Sequence, residues 1–269
     1  MFLKSIESER NILFIFETKD GYKIEAVLAK KPVCLCISTH VGCKIDCVFC
    51  ASSKKGCIRA LTLDELVEQV NCVYEKQGKL NDVHFGGIGE PAINLTNVFS
   101  TMENVKDKVN TFSLTTSIPS VESFKKIVEA NFSSIAVSMH SINDDTRKQI
   151  MPNALPATKV ISILKEMVKE YPGLGQKLTI GYIILSGIND SDEEIREFIN
   201  LAKELDCTLF PMYYNKIDEN SSLHTDEKKY SEILELLKSE NIKFSKSSGS
   251  RRDSIGGCGT LRVNRETKE

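Results

Sequence analysis

Short apolar, β-branched stretches alternate with amphipathic helical patterns along most of this chain, and that alternation restricts the fold more than any other feature. The stretch "VCLCIS" (33–38) reads as a strand. "TLDELVEQVNCVYEK" reads as a helix, opened by the capping box Thr62-x-x-Glu65, with Leu66, Val67, Val70, Val73 and Tyr74 at helical spacing. Strands follow at 82–87, 111–116, 134–139, 178–185, 207–213 and 242–247, with helices at 96–107, 120–130, 144–150, 158–170 and 226–239 and one capped by Ser191-x-x-Glu194. Strand–helix alternation of this kind predicts an α/β fold with a parallel sheet. Six or so units are too few for an eight-fold barrel, so the expectation is a partial, open (β/α)6 barrel with its chemistry beyond the carboxyl ends of the strands. Residues 1–32 differ: "NILFIFETKDGYKIEAVLA" alternates apolar and polar residues around Asp20-Gly21, a β-hairpin signal. The expected organisation is a small N-terminal β-hairpin extension at 1–32 and the barrel, with a C-terminal loop, at 33–269.

At 269 residues the chain has the length of one large domain, and 41% hydrophobic with 27% charged residues argues against disorder. No apolar run approaches the roughly 18 residues of a membrane span, and "MFLKSIESERN" lacks the apolar centre of a signal peptide, so a cytoplasmic protein with no membrane partner is expected. The net charge of −2 excludes a polycation. Nucleic acid would have to be met by local patches: Lys30 with Lys31, Lys54 and Lys55 with Arg59, or Lys243, Lys246, Arg251 and Arg252.

Nine cysteines in such a chain point to metal ligation or catalysis rather than structural disulfides. Five fall within "CLCISTHVGCKIDCVFC" (34–50). Cys43-x3-Cys47-x2-Cys50 follows directly on the first barrel strand, and three thiolates on one loop can hold three irons of a 4Fe–4S cluster, leaving the fourth open. A zinc site completed by Cys57 or His40 is the alternative. Cys36, on its own, reads as a small buried hydrophobe on a strand.

The C-x3-C-x2-C motif, with Phe49 before its last cysteine, resembles the radical S-adenosylmethionine (SAM) superfamily. That resemblance implies Cys43, Cys47 and Cys50 as cluster ligands and SAM on the open iron. "GGIGEP" (86–91) resembles the SAM-binding turn, with close backbone approach at Gly87 and Gly89 and Glu90 receiving the methionine ammonium. "VSMHS" (137–141) places Ser138, Met139 and His140 where ribose and adenine contacts are expected. "KIEAVL", "LCISTHVGC", "GIGEPAINLTNV", "SMHSINDDTRKQIMP", "ILSGIND" and "CGTL" together resemble one subfamily, the radical SAM RNA methyltransferases acting on adenosine carbon 2 of ribosomal RNA or tRNA, or carbon 8 in the antibiotic-resistance relatives. The resemblance spans about residues 13 to 262. Thr115 stands where the family usually has Ser, and Asn215, in "PMYYNK", matches a SAM-contacting Asn at a spacing from Pro211 longer than usual.

What the resemblance implies chemically is methylation of an sp2 carbon through an S-methyl group on Cys258, in a glycine-flanked, mobile loop. Cys36 occupies the position of the second thiol, which forms a disulfide with Cys258 to release product, and Glu25 that of the proton acceptor. Cys34 shares Cys36's strand face and could stand in for it. A flavodoxin- or ferredoxin-type reductant is implied by analogy. The chain starts almost at the hairpin, so the family's N-terminal accessory domain is expected to be absent. "MPNALPATK" is also thin in basic residues, leaving a smaller RNA, a nucleotide or another non-ribosomal substrate as the alternative.

Overall fold

Strands β1 (Phe2–Glu7), β2 (Asn11–Glu17) and β3 (Lys23–Lys30) form an antiparallel meander, and β3 pairs antiparallel with β4 (Val33–Ile37). The structure, a computed structural model, describes residues 1–219 and 221–265. The β2–β3 turn falls at Asp20-Gly21, where Gly21 takes a φ of +85° that favours glycine. Beyond β4 the sheet changes polarity. β7 (Leu80–Phe85), β8 (Val109–Thr116), β9 (Ser134–Ser138), β10 (Leu178–Ile184) and β11 (Thr208–Tyr213) follow in parallel, giving one nine-stranded sheet in the order β1-β2-β3-β4-β7-β8-β9-β10-β11.

Helices α1 (Leu63–Gln77), α2 (Leu95–Val105), α3 (Val121–Glu129), α4 (Asp144–Ile150), α5 (Ala157–Glu170), α6 (Leu174–Lys177), α7 (Asp192–Glu204) and α8 (Glu227–Ser239) occupy the crossovers. The expected capping box at Thr62 and Glu65 is present in both directions. At α7 only half of it forms. Ser191 accepts from the Glu194 N–H, but the Glu194 carboxylate accepts instead from Ser141 Oγ and the Ile142 N–H, tying α7 to the end of β9.

The six parallel strands agree with the expected partial barrel. The predicted strand at 242–247 does not form; only a bridge between Leu209 and Phe244 remains there. Because β3 occupies the outer edge of β4, that edge is not available to β11, and the parallel run stays open on that side.

The two faces of the parallel sheet differ in chemistry. Leu35, Ile37, Val83, Phe85, Ile135, Val137, Ile180 and Ile184 face the helices and are buried. Each such burial contributes about 1.5–3 kcal/mol. The alternate residues, Cys34, Cys36, Asp82, His84, Ser113, Thr115 and Ser138, line the concave face in one continuous register. No described helix is long and apolar enough to cross a membrane.

Gly175 of α6 lies so close to α7's end that a Cβ there would stand inside contact distance of the Leu205 carbonyl oxygen. Gly175→Ala is expected to lower stability by about 1–3 kcal/mol, read from the urea midpoint.

Candidate functional site

The three motif cysteines lie on a loop clamped at both ends. Strands β5 (His40–Gly42) and β6 (Cys57–Ala60) pair antiparallel across it, a hairpin the sequence did not announce. Gly42, at φ +89°, packs so tightly on the Gly56 carbonyl that no side chain fits, and the Cys43 N–H donates to Gly56 O at 3.1 Å.

Cys43, Cys47 and Cys50 are half-buried free thiols packed against Ile45 and Phe49. Burial pushes Cys43 up to about 12 and raises Cys47 and Cys50 as well. For Cys47 the next causes are the negative charges of Cys50 and Cys43, so the three sulfurs lie within electrostatic reach of one another. Buried, mutually repelling thiols are costly as thiolates until a cation arrives, and the Arg147 guanidinium facing Cys47 offsets only part of that. This donor set suits an iron–sulfur cluster, with one thiolate per iron. Cys57 is exposed and His40 Nδ1 is engaged by Thr39 Oγ1 at 2.9 Å. Among the described residues, no three His, Cys, Asp or Glu close around a single ion.

The "GGIGEP" turn follows β7. A Cβ on Gly87 would lie 2.8 Å from the Ile37 carbonyl oxygen, and one on Gly89, at φ +109°, would lie 2.5 Å from His40 Nδ1. Both glycines are thus required by the chain's own packing. Glu90 is buried. Its Oε2 accepts from Ser117 N–H (2.7 Å) and Ser117 Oγ (2.8 Å), Oε1 accepts from Ala92 N–H (3.0 Å), and the Thr116 side chain also bonds the carboxylate. Burial raises its pKa against these donors.

His140 is buried at φ +56°, edge-on to Phe49 with centroids 4.8 Å apart. Its Nδ1 accepts from Ile183 N–H, and burial holds it neutral, down to about 3. Met139 is buried as well, whereas Ser138 is half-buried and makes no side-chain hydrogen bond to the described residues. The buried Arg147 donates to the carbonyls of Ser138, Met139 and Leu155, which fixes this strand end.

The loop that carries Cys258 is hydrogen-bonded to its surroundings. Its N–H donates to Arg251 O at 2.9 Å, and Asn215 Nδ2 donates to the carbonyls of both Arg251 (2.8 Å) and Cys258 (2.9 Å). Asn215 is therefore brought to Cys258 itself. The next carbonyl, Gly259 O, accepts from Ala51 N–H at 2.8 Å, which sets the Cys258 loop against the residue after Cys50. On the other side Gly256 packs on Val27, the ladder partner of Cys36. Burial pushes the Cys36 thiol up to about 12, with the nearby Cys258 charge the second cause, and burial also raises Cys258. Cys34, two residues before Cys36, is raised by burial and by Asp82, to which its thiol donates at 3.4 Å.

Glu25 has an exposure of 0% and accepts from the Arg262 N–H at 2.7 Å and from the Arg265 guanidinium. Thr115 pairs with His84 Nε2 at 2.8 Å. Reading the sequence missed Asp82, His84 and Ser113 on the concave face, and the placing of the Arg251 guanidinium 4.3 Å over the Phe210 ring. The alternation of Asp82 and His84 within "DVHFGG" was the available signal for the first group.

Comparison with known proteins agrees with this geometry. Residues 37–199 match the radical SAM superfamily. The chain is 30% identical to a probable dual-specificity RNA methyltransferase RlmN of Desulforamulus reducens, over 96% of its own length and 76% of the relative's. It is 31% identical to the Clostridium novyi protein of the same description, over 93% and 76%. A radical SAM methyltransferase from Sphaerobacter thermophilus superposes with a TM-score of 0.84 at 26% identity, covering 97% of this chain and 81% of that one. Streptococcus suis SuiB bound to S-adenosylmethionine, at 14% identity and a TM-score of 0.61 over 79% and 50%, shares the fold alone.

Two predictions follow from the site's packing. Gly42→Ala should force β5 and β6 apart and displace Cys43, cutting iron bound per chain after anaerobic reconstitution. The second concerns acid. His40 and His84 are held down to about 4, and His140 to about 3, by burial, against an unfolded value near 6.5. Below pH 6.5 the unfolded chain binds more protons, so each buried histidine removes stability as pH falls, by about 1.4 kcal/mol per unit. Between pH 6.5 and 5, the urea midpoint of His140→Gln should fall less steeply than the parent's, by one proton's worth of slope.

Proposed function

The chain belongs to the radical SAM superfamily and, within it, to the RNA methyltransferase family of the two relatives above, and we propose that it methylates an sp2 carbon, carbon 2 or carbon 8, of adenosine in RNA through Cys258. Membership brings a 4Fe–4S cluster and SAM as cofactors. Cys43, Cys47 and Cys50 would hold the cluster, and Glu90 Oε1, Thr115, Ser138, His140 and Asn215 border the space SAM would take. When bound and reduced, the pair supplies a 5′-deoxyadenosyl radical able to take a hydrogen atom from a methyl group.

The observation that carries this reading is the meeting of Cys258 with both Cys36 and the end of the cluster loop. Adenine carbons 2 and 8 carry no acidic proton, so the methyl carbon must first be carried on a nucleophile. Cys258 receives it from SAM by displacement. Once that methyl has lost a hydrogen atom to the radical, its methylene carbon bonds to the ring and tethers RNA to sulfur; the ring then gives up one proton, to Glu25, and one electron, which the oxidised cluster would take. Release needs a second thiol, and Cys36, whose ladder partner Val27 carries the packing of Gly256, is the one assigned to it. Its sulfur bonds to Cys258 sulfur, the electron pair of the broken sulfur–carbon bond passes to the product carbon, which takes up a proton to become the methyl group, and a disulfide remains. Glu25 serves the ring proton once Arg265 withdraws from its carboxylate.

An RNA substrate is supported by charge as well as by kinship. Of the basic patches expected from sequence, Arg59 is consumed by Asp20 and Glu65, Lys243 by Asp206, Arg252 by Glu227 and Lys30 by Glu7. Lys54 pairs with Asp218 and Arg265 with Glu25, yet with Lys55 and Arg262 they line one cleft of about 490 Å³ beside the cluster loop, in which four cations face the single acid Asp218. A row of cations next to the site is where a phosphate backbone would run. Electrons would come from a flavodoxin- or ferredoxin-type donor.

Anaerobically reconstituted protein, given SAM, reductant, and ribosomal RNA or tRNA, should carry a methyl group on Cys258 by peptide mass spectrometry and methylate the RNA. Cys258→Ala should lower RNA methylation to below about 1% of the parent rate while 5′-deoxyadenosine still forms. An unmethylated Cys258 after turnover would end this reading. A nucleotide or small RNA methylated in place of the large RNAs would keep the mechanism and change the substrate.

A further inference from the structure

A hydrogen-bonded chain of titratable groups crosses the concave face with no part in the chemistry above. It starts at Cys34, whose thiol donates to Asp82 Oδ2 at 3.4 Å. Ser113 Oγ donates to the same Oδ2 at 2.5 Å, and Thr111 Oγ1 donates to Oδ1 at 2.9 Å. Ser113 Oγ also meets His84 Nδ1 at 2.8 Å, and His84 Nε2 meets Thr115 Oγ1 at 2.8 Å.

The carboxylate settles the direction of every bond. It can only accept, so the Ser113 proton points at Asp82. Ser113 Oγ must then accept from His84, which places the imidazole proton on Nδ1. His84 Nε2 is left with a bare lone pair, which takes the Thr115 hydroxyl proton. The chain therefore runs one way, with its basic end at Nε2 near the carboxyl ends of the strands and its proton sink at Asp82 below.

That basic end is on the strand next to that of Cys36. Cys36 and His84 are ladder partners on β4 and β7. Gly86 joins them. Its N–H faces the Cys36 thiol, and its missing side chain is the space that the His84 ring edge fills, since a Cβ would collide with Nε2 and Cδ2. Any other residue at 86 would drive the ring away.

We propose that His84, Ser113 and Asp82 form a proton relay that takes the Cys36 thiol proton as Cys36 bonds to Cys258. The proposal rests on the two-thiol function given above. As the Cys36–Cys258 bond forms, the Thr115 hydroxyl turns off His84 Nε2, the thiol proton passes to Nε2, the Nδ1 proton passes to Ser113 Oγ, and the Ser113 proton passes to Asp82, while the product carbon that receives the sulfur–carbon electron pair takes up the ring proton held by Glu25. His84 ends neutral with its proton on Nε2, Asp82 ends protonated, and Glu25 returns to its carboxylate.

The surroundings require a relay rather than a simple base. The thiol is pushed up to about 12, so at neutral pH almost none of it is thiolate. An imidazolium is equally disfavoured, because burial and the Arg251 charge outweigh Asp82 and hold His84 to about 4. A proton passed straight through to a carboxylate leaves neither charge stranded. The groups facing the relay are Asp82 and Arg251 on His84, Cys34 and Thr111 on Asp82, and Cys258, Asp82 and Arg251 on Cys36. Ser113 and Asp82 are positioning residues; His84, the ladder partner of Cys36, is the group assigned to take the thiol proton.

The test measures release of RNA from the Cys258 adduct after it has formed, at pH 6.5 to 8.5, so slower formation in a variant does not enter. Ser113→Ala breaks the chain without touching the thiol, and His84→Gln removes the acceptor, with Cys36→Ala as the reference that never releases. The parent should release at a rate nearly independent of pH. Both variants should release at least about tenfold more slowly at pH 7 and recover about tenfold per pH unit, as free thiolate takes over. Parental rates and a flat profile in both would overturn the relay while leaving the two-thiol reading intact. Absence of any adduct, with Cys258 unmethylated, would instead mark failure of that reading. Iodoacetamide labelling of Cys36 without RNA then decides the relay alone: a half-labelling pH raised by about one unit in Ser113→Ala supports it, and an unchanged value refutes it.

Discussion

Strand β4 is hydrogen-bonded along both edges, to β3 running against it and to β7 running with it, and the rest of the molecule depends on that double engagement. A five-residue strand held on both sides cannot slip register without turning every side chain to the opposite face. Leu35 and Ile37 are thereby kept under the helices, and Cys34 and Cys36 on the concave face. The same strand launches the cluster loop from one end. It also receives the glycine turn, since Gly87 N–H donates to Ile37 O. The cysteine loop, the glycine turn and the Cys36 thiol share one short reference segment, so their relative positions do not accumulate error from intervening loops.

Much of this was legible in the sequence where the signal is local. The capping box from Thr62 to Glu65 is four residues long, and the cysteine motif from Cys43 to Cys50 eight, so each carries its own geometry. The meander's turn at Asp20-Gly21 is of the same kind. The predicted strand at 242–247 failed because β-branched and aromatic content describes a segment that could pair; Phe244 finds only Leu209. The β5–β6 clamp escaped notice because its strands are three and four residues long and lie on opposite sides of the cysteine loop.

Side-chain partnerships across strands were harder still. That Asp82, Ser113 and His84 connect depends on the register of β7 against β8, which no single stretch encodes. Glu194 shows the same limit from the other side. Its sequence position completes a capping box, yet tertiary contact with Ser141 wins its carboxylate. Glu25 is a third case. Its place in "KIEAVL" named it as a proton acceptor, but only the fold reveals that Arg262 and Arg265, from the far end of the chain, saturate it.

The stitching of residues 8–25 to residues 250–262 has a consequence for folding. Asn11 holds the carbonyls of Ser250 and Ile255, Ser8 holds Asp253, and Glu25 holds Arg262, bonds that span 237 to 245 residues. Contacts of such range close last, after the intervening sheet has brought the two segments together. The segment that carries Cys258 therefore settles onto the antiparallel meander only after the parallel strands and the cysteine loop between them are in place.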